Sequence, residues 1–253
     1  MKAIWRGSIT FGLVSIPVKL YNARVSREIS FHMLHSSDGG RIRFKKVCEK
    51  CGKEVSKNEI VKGYEISKNE YVILTDEDLE KLPLRSAKEV RVLQFFDPSE
   101  LSVIYYGSMY YVSPDKGGVK AYTLLRKAME DTGSMGLGKL TMRGKEYLVG
   151  LRAFGDGILL AQLYYVDEIR SPYEVPNWGA KEEYSEEELE LAKQLVLAMK
   201  KPLRLEEYRN EYYEALMQLI EAKLAGHEVK VTEEVETAKS LVEALKESLE
   251  AVK

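Results

Sequence analysis

The residues whose spacing most resembles a chemical site are Cys48 and Cys51, in the stretch Cys48-Glu49-Lys50-Cys51-Gly52-Lys53. A Cys-x-x-Cys-Gly turn has the shape of half a zinc ribbon, in which a tight turn presents two thiolates to one metal. Structural zinc takes four ligands, and these are the only two cysteines in the chain. His35 and Asp38, a short hairpin upstream, would complete a set of four, although aspartate is an uncommon structural zinc ligand. The competing reading is a pair of free thiols in an exposed hairpin. Two cysteines are too few for a disulfide framework.

Other candidate chemistry is thinner. Asp76, Glu77 and Asp78 form a carboxylate cluster, but successive positions on a helix point in different directions and do not converge on a metal. His32, His35 and His227 offer no obvious partnered nucleophile, and there is no Gly-x-Ser-x-Gly elbow. No Gly-x-x-x-x-Gly-Lys-Ser/Thr loop is present, and Gly155-Asp156-Gly157 reads as a turn between strands, not a dinucleotide fingerprint. A nucleic-acid ligase needs a lysine nucleophile in a Lys-x-Asp-Gly setting; the nearest match, Ser36-Ser37-Asp38-Gly39, begins with serine. A metal-dependent nuclease or ligase and a β-barrel binder of single strands are the rival functions. The expectation is a protein without catalysis and without a cofactor, zinc at Cys48, Cys51, His35 and Asp38 being the one alternative left open.

The cations say more. In Arg41-Ile42-Arg43-Phe44-Lys45-Lys46 charged and apolar residues alternate, and on a strand this puts Arg41, Arg43 and Lys45 on one face, suited to a phosphate backbone. Lys53, Lys57 and Lys62 continue the bias, and Arg143-Gly144-Lys145 falls at a hairpin tip. The formal charge of the 253 residues is −2, yet residues 1–62 carry 13 Lys/Arg against 5 Asp/Glu, while residues 181–253 carry 11 against 18. A local basic surface is therefore available despite the overall balance. Aromatics do not interleave regularly with these cations, which disfavours stacking on unpaired bases.

The elements that must position these residues are mostly strands. Short runs rich in Val, Ile, Tyr and Phe, set off by Gly, Pro, Asn and Asp, predict strands near 8–20, 29–34, 41–47, 60–66, 70–74, 89–96, 103–112, 137–142, 146–154 and 158–166. So many strands imply a barrel or a sandwich. Pro17 within the first run implies an edge, bulge or break. A short helix should start at a Thr75 cap, and a second should span about 118–131 with Tyr122, Leu125 and Met129 on its core face and Gly133 after its end. From Pro172 and Pro176 onward the charge density rises and the period becomes helical. One helix should begin at the Ser185/Glu188 capping box and stop at Pro202. A second should carry Tyr208, Tyr212, Leu216, Leu219, Ile220 and Leu224 and end at Gly226. A third should begin at Thr232 and place Val235, Ala238, Leu241, Val242, Leu245, Leu249 and Val252 on a heptad-like seam. No apolar run reaches the length of a membrane span and the N-terminus lacks a signal peptide's apolar stretch, so a cytoplasmic protein with no membrane association is expected.

Several stretches, in order, resemble the prokaryotic Ku family. They are Ala3-Ile4-Trp5-Arg6-Gly7-Ser8-Ile9-Thr10-Phe11-Gly12-Leu13-Val14-Ser15-Ile16-Pro17-Val18-Lys19-Leu20-Tyr21, then Phe31-His32-Met33-Leu34-His35, Arg41-Ile42-Arg43 and Ile60-Val61-Lys62-Gly63-Tyr64-Glu65. Tyr111-Val112-Ser113-Pro114-Asp115-Lys116-Gly117-Gly118, Tyr208-Arg209-Asn210-Glu211-Tyr212 and Leu219-Ile220-Glu221-Ala222-Lys223 follow. The resemblance covers nearly the whole chain. It implies an α+β fold: a β-barrel core with an arching bridge over residues 1–178, and a helical C-terminal region over 179–253. In a homodimer the two bridges would form a ring around double-stranded DNA. A compact unit of about 180 residues has a radius of gyration of only roughly 16 Å, so one copy could hardly enclose a duplex without an extended arm.

The function implied is binding of double-stranded DNA ends, without sequence preference, in non-homologous end joining of double-strand breaks. Recruitment and stimulation of an ATP-dependent repair ligase of the bacterial ligase D type go with it, in the cytoplasm at the nucleoid. Carried onto this chain, the DNA contacts implied are Arg41, Arg43, Lys45 and Lys46, with Arg6 and Arg143 as further candidates; the basic pattern adds Lys145 and Lys62. The acidic helices after residue 180 are expected to serve partner docking or dimer support. The chain departs from many members in ending at Lys253 without a lysine-rich tail. It also carries Asp38 where some members have the cysteine of a His-x-x-Cys motif.

Overall fold

The computed structural model describes residues 1–81, 88–142, 144–226 and 241–252. Contacts divide the chain into one compact unit of residues 1–27 and 31–171 and another of residues 28–30 and 172–253. The first begins with strands β1 (Trp5–Phe11) and β2 (Val14–Asn22), a hairpin in which Ile9 faces Ile16 and Phe11 faces Val14. The long first run is thus two strands. Its break falls at Gly12, where φ is +55°, and not at Pro17. Pro17 sits inside β2 opposite Ser8, just beyond Val18, where the ladder on β2's other side ends, so its missing N–H costs no sheet hydrogen bond there.

Strands β3 (Lys62–Ser67) and β4 (Glu70–Leu74) form a separate two-stranded hairpin. Helix α1 (Asp76–Glu80) follows, with Thr75 as its N-cap: the Thr75 hydroxyl accepts the Asp78 N–H at 3.2 Å and Asp78 returns the bond to the Thr75 N–H at 3.0 Å. Strands β5 (Glu89–Phe96), β6 (Tyr106–Pro114), β7 (Met135–Met142), β8 (Lys145–Phe154) and β9 (Gly157–Leu163) then join the first hairpin. Together they make a closed seven-stranded barrel in the order β1-β2-β6-β9-β8-β7-β5.

Alternation makes the barrel. Ile16, Val18 and Leu20 of β2 are fully buried, as are Val149 of β8 and Leu160 of β9, while the residues between point outward. Helix α2 (Val119–Asp131) packs on the barrel through Tyr122, Leu125 and Met129, the face its spacing predicts. The Tyr122 hydroxyl donates to the Val112 carbonyl at 2.7 Å and accepts the Ile158 N–H at 2.8 Å, although Val112 and Ile158 are themselves partners across β6 and β9. Burial pushes the Tyr122 phenol pKa up.

The second unit holds α3 (Glu186–Met199), α4 (Glu211–Leu224) and α5 (Leu241–Val252). The Ser185/Glu188 capping box is present, with Glu188 accepting the Ser185 N–H at 2.7 Å. Helix α4 starts later than its stripe suggested: Asn210 accepts the Tyr213 N–H at 2.9 Å and caps it, so Tyr208 lies ahead of the helix. Thr232, Val235 and Ala238 lie outside the described residues, as does His227. Helix α5 packs on α3, with Lys246 Nζ 3.6 Å from Glu187. None of the described residues of this unit is fully buried, and no described helix is long and apolar enough to cross a membrane.

Candidate nucleic-acid interface

Between β2 and β3 the chain runs from residue 24 to 61 with almost no regular structure, and from residue 24 to 79 no residue is buried. Two turns organise this arm, and they are copies of one another. In the first, the Gly39 N–H donates to the His35 carbonyl at 2.9 Å and the His35 N–H to the Gly40 carbonyl at 2.8 Å. In the second, the Gly52 N–H donates to the Cys48 carbonyl at 2.8 Å and the Cys48 N–H to the Lys53 carbonyl at 2.9 Å. Gly39 (φ +70°) and Gly52 (φ +69°) occupy the left-handed position that each turn needs, where a Cβ would be strained.

This arrangement corrects two expected strands. Residues 29–34 and 41–47 do not form ladders; only the isolated bridges Leu34↔Arg41 and Val47↔Glu54 occur, each closing its own turn. The Ile42 N–H goes back to Met33 and the Lys46 carbonyl forward to Val55, so the chain between has no strand beside it to pair with. Arg41, Arg43 and Lys45 are therefore not held on one face of a sheet. They line an irregular link between the two turns.

The expected cations are not equivalent. Arg41, Arg43 and Lys46 are exposed on that link and, among the described residues, have no ion-pair partner. Lys45 is held by Glu54 at 2.6 Å, and Lys62, at the start of β3, by Asp76 at 2.9 Å, a contact that also keeps the Asp76 carboxyl below its ordinary pKa. Arg6 and Lys145 stand on the barrel, at β1 and at the start of β8, both exposed. Arg143 lies outside the described residues. The sequence reading missed Arg91, exposed on β5, and Lys139 of β7, which face each other across that strand pair. Lys139 is tied to Glu146 at 2.6 Å. It also missed Lys19, which pairs with Arg6 across the first hairpin and is held by Asp115 at 2.6 Å. Strand alternation was the available signal, since Arg6, Lys19 and Arg91 each adjoin residues that point into the barrel.

The four candidate metal ligands divide between the two turns. His35 Nδ1 lies 3.2 Å from Asp38 Oδ1, and Asp38 also accepts the Gly40 N–H at 2.8 Å, which holds its carboxyl below the usual range. The Cys51 N–H, then the Cys51 thiol, the Lys50 N–H and the Lys50 charge, lower the Cys48 pKa. Among the described residues no three or more His, Cys, Asp or Glu side chains are grouped so as to hold a metal ion.

Residues 10–191 match the family model described as the Ku70/Ku80 beta-barrel domain. This chain belongs to the Ku family. It is 71% identical over 253 residues, the whole of both chains, to a protein of Archaeoglobus fulgidus named "Non-homologous end joining protein Ku". Proteins of the same name in Bacillus subtilis and Symbiobacterium thermophilum are 39% and 40% identical. The matches cover 99% and 89% of this chain but 82% and 56% of those relatives, so the Ku proteins share this region and differ in how much more they carry. The closed barrel found here is the domain that the family description names.

Proposed function

We propose that this Ku-family chain binds ends of double-stranded DNA without reading sequence, as a homodimer and without catalysis of its own, in non-homologous end joining. The observation that carries this reading is the conjunction of relatives named for that process with an exposed arm whose Arg41, Arg43 and Lys46 are free to neutralise phosphates. Cations without a carboxylate partner release counterions fully when they meet a phosphate backbone; Lys45 and Lys62 must first give up Glu54 and Asp76.

The homodimer is supported by what the arm exposes. Phe31, Met33, Phe44, Tyr64, Ile66 and Ile73 are all more than half exposed, Phe44 at 83%. Apolar surface on that scale favours a covering partner, and a second copy, related by two-fold symmetry, would bring a second set of cations to the same duplex. The reading assigns DNA to residues 1–178. It assigns partner docking or dimer support to the helices of residues 179–253, which have apolar stripes but no core of their own among the described residues. The partner proposed is an ATP-dependent repair ligase of the ligase D type, recruited and stimulated at the break, in the cytoplasm at the nucleoid.

Competition between topologies tests the reading. A linear duplex several times longer than the roughly 150-bp persistence length of DNA should bind tightly, and a covalently closed circle of the same sequence should compete poorly, because a ring loads only at an end. Equal competition by the circle would reject threading.

A further inference from the structure

The turn that holds Cys48 and Cys51 folds in a way that does not explain its sulfur. The first turn of the arm is its copy, with His35 and Asp38 in the places of Cys48 and Cys51 and Gly39 in the place of Gly52. That turn closes with the same pattern of two backbone hydrogen bonds although it carries an imidazole and a carboxylate. Two thiols are therefore not needed to make the turn. Structural zinc takes four ligands, and among the described residues no third His, Cys, Asp or Glu side chain joins this pair.

The first turn also measures how close the side chains come. His35 Nδ1 and Asp38 Oδ1 lie 3.2 Å apart, so the first and fourth positions of this turn point toward each other. In the second turn the Cys51 N–H and the Cys51 thiol both hydrogen-bond to Cys48. Backbone hydrogen bonds of 2.8 and 2.9 Å, from Gly52 to Cys48 and from Cys48 to Lys53, hold the two residues in place. A disulfide needs Cα atoms within about 7 Å and converging Cβ vectors. A tight turn supplies the first condition, and contact between the side chains supplies the second. Cys51 is exposed and Cys48 partly so, which lets a small molecule reach both sulfurs.

The geometry points to Cys48 and Cys51 as a reversible dithiol–disulfide site, one that exchanges with small-molecule disulfides and, when closed, staples the turn. The Cys48 thiolate attacks one sulfur of the small disulfide, whose S–S bond breaks and releases one thiolate. The Cys51 thiolate then attacks the Cys48 sulfur, forming the bond within the chain and expelling the second thiolate. Two protein thiols are oxidised to one disulfide, one small disulfide is reduced to two thiols, and the two protein protons pass to the thiolates that leave. Reversible exchange of this kind is compatible with a reducing compartment, where a structural bridge is not. The closed form acts on the arm through the base of the turn, where Val47 bridges Glu54 and Glu54 holds Lys45 at 2.6 Å. A stapled turn opposes the local opening that would release Lys45. The disulfide itself does not depend on the DNA reading.

The test uses the full chain, without DNA, and oxidised glutathione as the small disulfide. Both thiols of the parent should disappear together, leaving a chain lighter by two hydrogens in intact mass spectrometry, and dithiothreitol should restore them. Cys51→Ser removes the second attack, so this variant should stop at a glutathione adduct on Cys48. Trypsin should cut the oxidised parent at Lys50 and Lys53 several times more slowly than the reduced parent, while Cys51→Ser should be cut alike before and after treatment. Unreactive thiols, a parent that keeps the adduct, or a link between two chains on a non-reducing gel would overturn the proposal. So would equal cleavage of the oxidised and reduced parent. Zinc bound by the purified chain in stoichiometric amount, and needing a chelator before exchange proceeds, would give the thiols to the metal and overturn it too.

Discussion

At the scale of single residues, the ion pairs sort the cations of the arm. Among the described residues Arg43 has no ion-pair partner to leave, whereas Lys45 is held by Glu54 at 2.6 Å. Arg43→Gln should therefore weaken binding to linear duplex more than Lys45→Gln does. Each lost phosphate contact should also flatten the slope of log affinity against log salt by about 0.9. Anisotropy titrations from low to moderate salt measure both, and identical slopes for the parent and Arg43→Gln would remove Arg43 from the interface. Tyr122 belongs to stability instead. Tyr122→Phe leaves the Val112 carbonyl and the Ile158 N–H without the hydroxyl between them, inside the barrel wall. The expected cost is about 1–3 kcal/mol, read as a lower denaturant midpoint, with DNA-end affinity unchanged at temperatures where the barrel is folded.

At the scale of elements, the paired turns carry their own prediction. Gly52→Val puts a β-branched residue at φ +69°, where L residues pay roughly 1–2 kcal/mol or more. The turn should open and the arm should be cut by trypsin near Lys50 and Lys53 far sooner than in the parent, while the barrel melts at the same temperature. The capping box of α3 predicts an acid response. The Ser185 N–H and hydroxyl hold the Glu188 carboxyl below its ordinary pKa, so its contribution is present above the usual carboxylate range and is lost as pH falls through the depressed value. Helical circular dichroism should fall on acidification, and Glu188→Gln should blunt that fall. Strands and helices that pack on something were legible in the sequence: α2 and the Thr75 and Ser185 caps came out as the spacing predicted. Residues 41–47 did not, because alternation of Arg, Ile, Arg, Phe and Lys marks a strand only if a neighbouring strand takes up its backbone groups, and here each end bonds to its own turn. The cations were legible as a basic stretch, but which of them are neutralised depends on Glu54, Asp76 and Glu146, carboxylates brought in by the fold.

At the scale of the whole molecule, the question is what covers the arm. The β3–β4 hairpin shows it most simply. Tyr64 and its partner Val72 lie on one face, Tyr71 and Ile73 on the other, and all four are exposed. A two-stranded hairpin apolar on both faces is marginal in water by itself and gains stability only when another surface buries it. If that surface is a second copy, then Tyr64→Glu combined with Ile73→Glu should shift sedimentation from a dimer's mass to a monomer's. The thermal transition of the barrel should stay in place, since both residues belong to a separate two-stranded sheet and are more than half exposed. Loss of the dimer halves the cations brought to one duplex and removes the closed path around it. Affinity for linear duplex should therefore fall at least tenfold, about 1.4 kcal/mol, and the preference for linear over circular DNA should vanish with it. A variant that sediments as a monomer yet still prefers linear duplex over the circle would separate end recognition from enclosure, leaving the cations of a single arm to account for binding.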